Sequence, residues 1–395
     1  MSPRPVPVRT EAPLEQDERR HAARVREHLA AEIARAGGWL GFERFMDLAL
    51  YAPGLGYYSA GARKLGAGGD FTTAPEISRL FGACVARQCE QVLGRVAGSV
   101  LEIGAGSGQL ACDVLTRLEE LGRLPERYRI LEISADLRER QRDLLAQRLP
   151  RLLDRVEWLD APPHAPFDGV VLANEVLDAL PVTRFTWRRE GCEELGVEVR
   201  ADGFAWAPRP ATPALTAACA RLAAAGGGWQ DGYVSEYCPR LPGWAATVTA
   251  PLRAGAVLWF DYGLPRPQYY FAERSDGTLL CHFRQRAHGD PFLHPGLQDI
   301  TAWVDFTAVA EAGRDAGFTV AGFATQAYFL AGTGIDREMD ALAGGDAARA
   351  AALAREARRL ILPGEMGESF KAMAWVRGMD PSLRGFALQD LRHTL

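Results

Sequence analysis

The chain has 395 residues, of which 48% are hydrophobic, 24% charged and 9% aromatic, a globular composition that excludes a disordered tail, a fibre and a collagen-like chain. Its 45 Lys and Arg against 50 Asp and Glu leave a net charge of -5, so no basic excess supports nucleic-acid binding. The longest apolar runs, such as 256–260, are too short to span a bilayer, and no membrane insertion is expected.

In chain order, an arm with Pro3, Pro5, Pro7 and Pro13 comes first. It lacks the apolar stretch of a secretory signal, and Glu11, Glu15, Asp17 and Glu18 do not suit a transit peptide, so a cytoplasmic protein is expected. Val25, Leu29 and Ile33 at fourfold spacing predict a helix over 17–36, ended by Gly37-Gly38, and a second helix follows over 41–50. The glycine-rich stretch 61–69 leads into Asp70-Phe71-Thr72-Thr73-Ala74-Pro75-Glu76. Thr73 and Glu76 there have the spacing of a capping box for one long helix through about Leu93.

From residue 99 strands and helices alternate. Strands are predicted at 99–103, 128–133, 156–159, 167–173 and 256–260, with helices through 121 and over 137–149. The run 167–173 is apolar throughout, as a central parallel strand covered on both faces should be. The stretch before the fifth strand is too long for a simple crossover. Within it 185–206 reads as hairpins turning at Glu190-Gly191 and Asp202-Gly203, and 213–225 as a helix, which makes an inserted subdomain over 185–250. Residues 278–306 are loop-rich and polar, so 264–306 suits a lid or substrate surface. A helix over 307–316, a strand over 319–329, a helix over 341–360 and a last strand over 370–377 follow. The division expected is an N-terminal helical extension (1–98), a core in two halves (99–184 and 251–378) around the insertion, and a tail (379–395). The class is α/β, with a doubly wound Rossmann-like sheet of seven strands.

The residues that carry chemistry cluster at strand ends. Leu101-Glu102-Ile103-Gly104-Ala105-Gly106-Ser107-Gly108 runs from strand into helix, and its glycines let the backbone turn tightly and approach a ligand. The spacing G-x-G-x-G departs from the dinucleotide fingerprint G-x-G-x-x-G, and an acid two before the first glycine suits a cationic ligand such as S-adenosylmethionine. Glu132, at the end of the second strand, is placed to accept from both ribose hydroxyls. Asp160, after the third strand, is a candidate for the adenine amino group, with loop capping as its other reading. Thr72 and Thr73, with Asp70 and Phe71, are expected to fold over the cofactor.

Asn174-Glu175-Val176-Leu177-Asp178-Ala179-Leu180-Pro181 follows the fourth strand and should face the transferred methyl, with Asn174 also beside the cofactor. Glu175 and Asp178 are three apart, so a helical turn would put both carboxylates on one side, where they could orient a guanidinium; helix capping by Asn174 and Asp178 is the plainer alternative. Asp261-Tyr262-Gly263 ends the fifth strand at another ligand-facing position, with a turn as its bland reading. Seven scattered cysteines without a CxxC pair read as reduced core thiols, and His282, His288 and His294 lack the spacing of a metal site, so no metal is expected.

With these residues in view, the chain resembles the MidA-like family of S-adenosylmethionine-dependent methyltransferases, to which the mitochondrial complex I assembly factor that methylates an arginine belongs. The resemblance is carried by 69–78, 102–108 and 174–181, then by Asp261-Tyr262-Gly263, Gly277-Thr278-Leu279 with His288, Gly296 with Asp299-Ile300-Thr301, and 363–371; it covers about 41–377. It implies a class I methyltransferase fold, S-adenosylmethionine as cofactor and a protein arginine as acceptor, with Asp261, Tyr262 and His288 on the acceptor. A complex I subunit is the target in the mitochondrial members. Trp303 departs from the pattern, which has a histidine there. A homodimer is left open, as are three rival readings: a nicotinamide oxidoreductase, a non-catalytic assembly chaperone and a small-molecule methyltransferase.

Overall fold

The computed structural model describes residues 14–60 and 72–395. The first helices form over Gln16–Arg35 and Phe42–Tyr51. Val25, Leu29 and Ile33 are buried in one cluster with Phe42, Phe45 and Met46. Each such side chain taken from water stabilises the fold by roughly 1.5–3 kcal/mol, which fixes the extension on the core.

The long helix expected from a Thr73–Glu76 capping box is instead two helices, Ala74–Ile77 and Arg79–Arg95. Thr73 makes no side-chain cap. Ser78, in extended backbone conformation, breaks the run and caps the second helix by accepting from the Leu80 N–H at 3.2 Å. Glu76 accepts from the Ser107 hydroxyl instead of closing a box.

The central sheet contains β1 Ser99–Ile103, β2 Tyr128–Leu131, β3 Val156–Leu159, β4 Phe167–Asn174, β5 Leu252–Leu264, β6 Thr319–Thr325 and β7 Phe370–Arg377. The order of these seven across the sheet is β6-β7-β5-β4-β1-β2-β3, with β7 antiparallel to both neighbours and the other pairs parallel, and the two-residue Val304–Asp305 adds an eighth strand, parallel to the end of β5. The chain reverses its direction of travel between β1 and β4, and the carboxyl ends of strands at such a switch form a ligand crevice. Along β4, Val170 and Leu172 enter one core cluster and Val171 and Ala173 the other, so helices cover both faces. The strand β5 is longer than expected and β2 ends at Leu131, which puts Glu132 just past it.

Three expectations change in the C-terminal part. The strand at 319–329 stops at Thr325, whose hydroxyl caps a helix over Gln326–Thr333. The helix at 341–360 is two, Ile335–Ala343 and Ala347–Ile361, parted at Gly344 and restarted by Asp346, which accepts from the N–H groups of Ala348 and Arg349. The stretch expected as a loop-rich lid forms an antiparallel sheet of Leu280–Phe283, Arg286–His288 and Asp299–Thr301, and it docks through buried Cys281 and Ile300 on the N-terminal helices.

The hairpins of the insertion form as Thr183–Arg188, Gly191–Arg200 and Gly203–Pro210, with Val234–Tyr237 added and the helix over Pro213–Ala225. Leu40–Gly41 joins this sheet from the N-terminal extension. The helix Leu241–Thr249 buries Leu241, Ala245 and Val248 in the cluster that holds Val257 and Trp259 of β5, and its Trp244 and Val248 line the crevice. All seven cysteines are unpaired. Among the described residues, no helix is long and apolar enough to cross a membrane.

Candidate active site

The carboxyl ends of β1, β2 and β4 open on a cavity of about 440 Å³. One wall is the glycine turn. Gly104, Gly106 and Gly108 have φ of 63°, 54° and 85°, a left-handed conformation that costs a residue with a Cβ roughly 1–2 kcal/mol. At Gly104 a Cβ would also come 3.2 Å from Val176 Cγ2. Gly104, Ala105 and Gly106 face the cavity, while Gly108 sits behind them as the cap of the helix Gln109–Glu120, whose first N–H groups point toward the turn.

Carboxylates ring this turn. Glu102 lines the cavity, accepts from the Tyr128 hydroxyl at 2.7 Å, and is pushed up to about 7 by burial. Glu132 accepts from the Ser134 N–H at 2.9 Å and from Gln141 Nε2 at 3.2 Å, and burial raises its pKa. The same Gln141 nitrogen donates to the Gly106 carbonyl at 2.9 Å, so one buried amide fastens the second acid to the glycine turn. Nothing in the local sequence singles out Gln141, which reads as one more polar residue of a helix.

Glu175 stands between the glycine turn and the rest of the cavity. The helical turn expected at 175–178 is absent: Glu175 has φ 53°, and its Oε1 accepts from the Ala74 N–H at 3.3 Å and from Asn174 Nδ2 at 3.2 Å. Burial and the nearby Asp178 raise its pKa to about 8. Asp178 points elsewhere. Its Oδ2 takes the Tyr262 hydroxyl bond, it does not line the cavity, and burial raises it to about 6. The two carboxylates therefore do not form the expected fork. Asp261, also expected on the acceptor, lies beneath the loop: Oδ2 accepts from the N–H groups of Val176, Leu177 and Asp178 at 3.2, 2.9 and 3.3 Å, and Oδ1 from Tyr262 N–H at 2.9 Å. Asp261 and Tyr262 brace the strained loop that presents Glu175.

Of the remaining sequence candidates, Thr73 lines the cavity and Thr72 is exposed away from its wall. Asp70 and Phe71 lie outside the described residues. Asp160 is exposed and off the wall, and His288 sits on the strand Arg286–His288, also off it. Residues that the sequence did not place in the site complete the cavity, among them Trp244, one of the aromatics behind the small-molecule reading, which by sequence reads as packing. Ile133, 60% exposed, stands on the wall with Leu131 and Leu137 beside Glu132, and Asp47, Tyr51 and Trp244 form the far side. Among the described residues, no group of three His, Cys, Asp or Glu side chains is arranged to hold a metal ion.

This donor set fits S-adenosylmethionine. Asn174 Oδ1 is buried without a hydrogen-bond partner among the described residues, an acceptor left for a ligand amine. Three acids held above their usual range face the cavity, and its arginine, Arg240, is engaged by Glu43 and Asp47, so an added positive charge is welcome. Glu132 lines the same end of the cavity as the apolar Leu131, Ile133 and Leu137, so an acceptor for hydroxyl groups stands beside an apolar surface.

Comparison with known proteins points the same way. A family model described as "Putative S-adenosyl-L-methionine-dependent methyltransferase" matches residues 84–324. A Burkholderia thailandensis protein crystallised with S-adenosyl-homocysteine is 43% identical; the match covers 98% of this chain and 100% of that one, with a TM-score of 0.93. A native crystal structure from the same organism matches at 43% identity, with the same coverage and a TM-score of 0.90. Protein arginine methyltransferase NDUFAF7, mitochondrial, of Danio rerio is 29% identical over 384 residues, 87% of this chain and 85% of the relative.

Proposed function

The chain belongs to this family of S-adenosyl-L-methionine-dependent methyltransferases, and from that membership we propose that its methyl acceptor is the guanidinium of an arginine in a protein. The observation that carries the arginine reading is Glu175, a carboxylate held over the cavity with its two protein bonds on Oε1, which leaves Oε2 for an acceptor. The names of the mitochondrial relatives support it, and a complex I subunit is the first acceptor to test.

Bound S-adenosylmethionine supplies an electrophilic methyl on a sulfonium, which departs as a neutral thioether. One nitrogen of the arginine forms the N–C bond as the C–S bond breaks, and the electron pair of that bond stays on sulfur. Glu175 has two tasks in this. It turns the guanidinium so that the nitrogen faces the methyl, and it takes the proton that the methylated nitrogen must lose. Its raised pKa in the ligand-free cavity falls when two cations lie beside it, so it is ionised when the acceptor is in place. Asn174 and the Ala74 N–H fix the carboxylate, and Asp261 fixes the loop beneath.

Purified protein incubated with methyl-labelled S-adenosylmethionine and a cell extract, followed by mass spectrometry of the labelled proteins, tests the reading. Label on arginine is the expected result. Label on another residue type, or only on small molecules, overturns it.

A further inference from the structure

Resting on the arginine reading, we propose that the cavity beyond Glu175 is a sleeve for the acceptor's guanidinium side chain, walled by Tyr51, Tyr58 and Trp244 and entered past Asp47. The sheet order separates two ends. The glycine turn and Glu132 follow β1 and β2, whereas Asn174 and Glu175 end β4 on the other side of β1. Past Glu175 the wall comes from the helix Phe42–Tyr51, from Tyr58, from the turn 179–181 and from the helix Leu241–Thr249.

The chemistry of this end suits a planar cation on an apolar stem. Tyr51 and Tyr58 stack with centroids 5.5 Å apart and an interplanar angle of 19°. Their hydroxyls are tied down, to the Ala179 carbonyl at 2.9 Å and to Asp299 Oδ1 at 3.0 Å, so the rings are what they offer a ligand. Burial raises both phenols well above their ordinary range and keeps them neutral. Leu180, Pro181 and Val248 give the apolar surface along which an arginine stem can lie. A guanidinium stacks flat on such rings and is weakly hydrated, whereas an ammonium holds its water and has no plane to stack.

The entrance already accommodates guanidinium groups: Arg44 donates to Asp47 Oδ2 at 2.5 Å from the same helix, and Arg240 takes the other oxygen. Arg240 donates through Nη1 to Asp47 Oδ1 at 2.7 Å and through Nε to Glu43. Glu43 and Asp47 are one helical turn apart and present their carboxylates together. The Arg240 side chain is 39% exposed and Asp47 also lines the cavity, so an incoming arginine exchanges with Arg240 for Asp47 as it enters. None of the acceptor residues expected from sequence, Asp261, Tyr262 and His288, lies on this wall.

The test uses the full chain saturated with S-adenosyl-homocysteine, titrated calorimetrically with Nα-acetyl-L-arginine methylamide and with its lysine counterpart. The arginine probe should bind at least about fivefold more tightly than the lysine probe. Asp47→Asn and Trp244→Leu should each weaken the arginine probe about fivefold or more, with Trp244→Phe restoring most of the loss. S-adenosyl-homocysteine affinity kept within about twofold shows that each variant is folded. No binding of the arginine probe to the loaded protein, or equal binding by the variants, overturns the sleeve. If the wild type labels protein arginine and both variants do so at the same rate, the sleeve fails while the arginine reading stands. Label on another residue type ends both.

Discussion

At one end of the cavity the wall is built around one contiguous run, Glu102 to Ser107, with Leu131, Glu132 and Ile133 from the next strand end beside it, and left-handed glycines present the backbone of that run to the cavity. At the other end the wall is made of side chains from segments far apart in the chain, with Asp47 and Tyr51 on one helix, Leu180 in a turn and Trp244 on another helix. Glu175 stands where they meet. The backbone-made end depends on conformations that only particular residues tolerate, so it is sensitive to a single added Cβ. The side-chain-made end depends on packing between elements, so its residues can be changed one at a time with graded effect.

The largest expected effect separates the two ends. Gly104→Val should lower S-adenosyl-homocysteine affinity by about a hundredfold or more, because it adds backbone strain and a contact with Val176 inside the turn. Calorimetry on folded variant that returned wild-type affinity would remove the turn from the cofactor site. Next comes the junction. Glu175→Gln should cut turnover by roughly 10²–10⁴ while affinity for S-adenosyl-homocysteine changes little. Equal loss of both would make Glu175 a cofactor residue.

Asp261→Asn tests the brace. An amide cannot accept from all four N–H donors, and one buried donor left unmade costs about 1–3 kcal/mol. Turnover should fall about tenfold or more as the Glu175 loop relaxes. An unchanged kcat would show that the loop holds itself.

A pH series sharpens the comparison further. Glu175, Glu102 and Asp178 are held by burial at about 8, about 7 and about 6, above their usual carboxylate values. Between the unfolded and folded pKa values the folded state binds more protons, so the ligand-free protein should lose thermal stability as pH rises from about 4.5 to about 8. Glu175→Gln should flatten the upper part of that slope. Stabilisation by S-adenosylmethionine should grow over the same range, since a cation favours the ionised acids; a flat or reversed trend would contradict their raised pKa values. The smallest effect is expected at Asp160→Ala, which should leave S-adenosyl-homocysteine affinity within about twofold, because Asp160 is exposed and off the wall.

Much of the cofactor end was legible because its information is local. Strand 99–103, its glycines and the acid after the next strand lie in one βαβ unit, where spacing along the chain maps onto position in space. The acceptor end was not legible for the opposite reason. Asp47 and Tyr51 share a helix whose pattern reads as a core stripe, and Trp244 reads as one more packed aromatic. Glu175 and Asp178 mark the boundary. Their spacing promised a shared face, but the positive φ at Glu175 and the Tyr262 hydroxyl bond send Asp178 away.

By itself the sequence determined the alternating α/β order, the seven-strand sheet and the glycine turn with Glu102 and Glu132 around it, since period, glycine placement and strand-end position act over a few residues. Only the tertiary structure decided that Asp261 supports the loop from below, that Gln141 ties Glu132 to Gly106, and that Asp47, Tyr51 and Trp244 share one cavity with Glu175. These contacts join residues whose meeting is set by how helices pack on a sheet, and that packing is a property of the whole core.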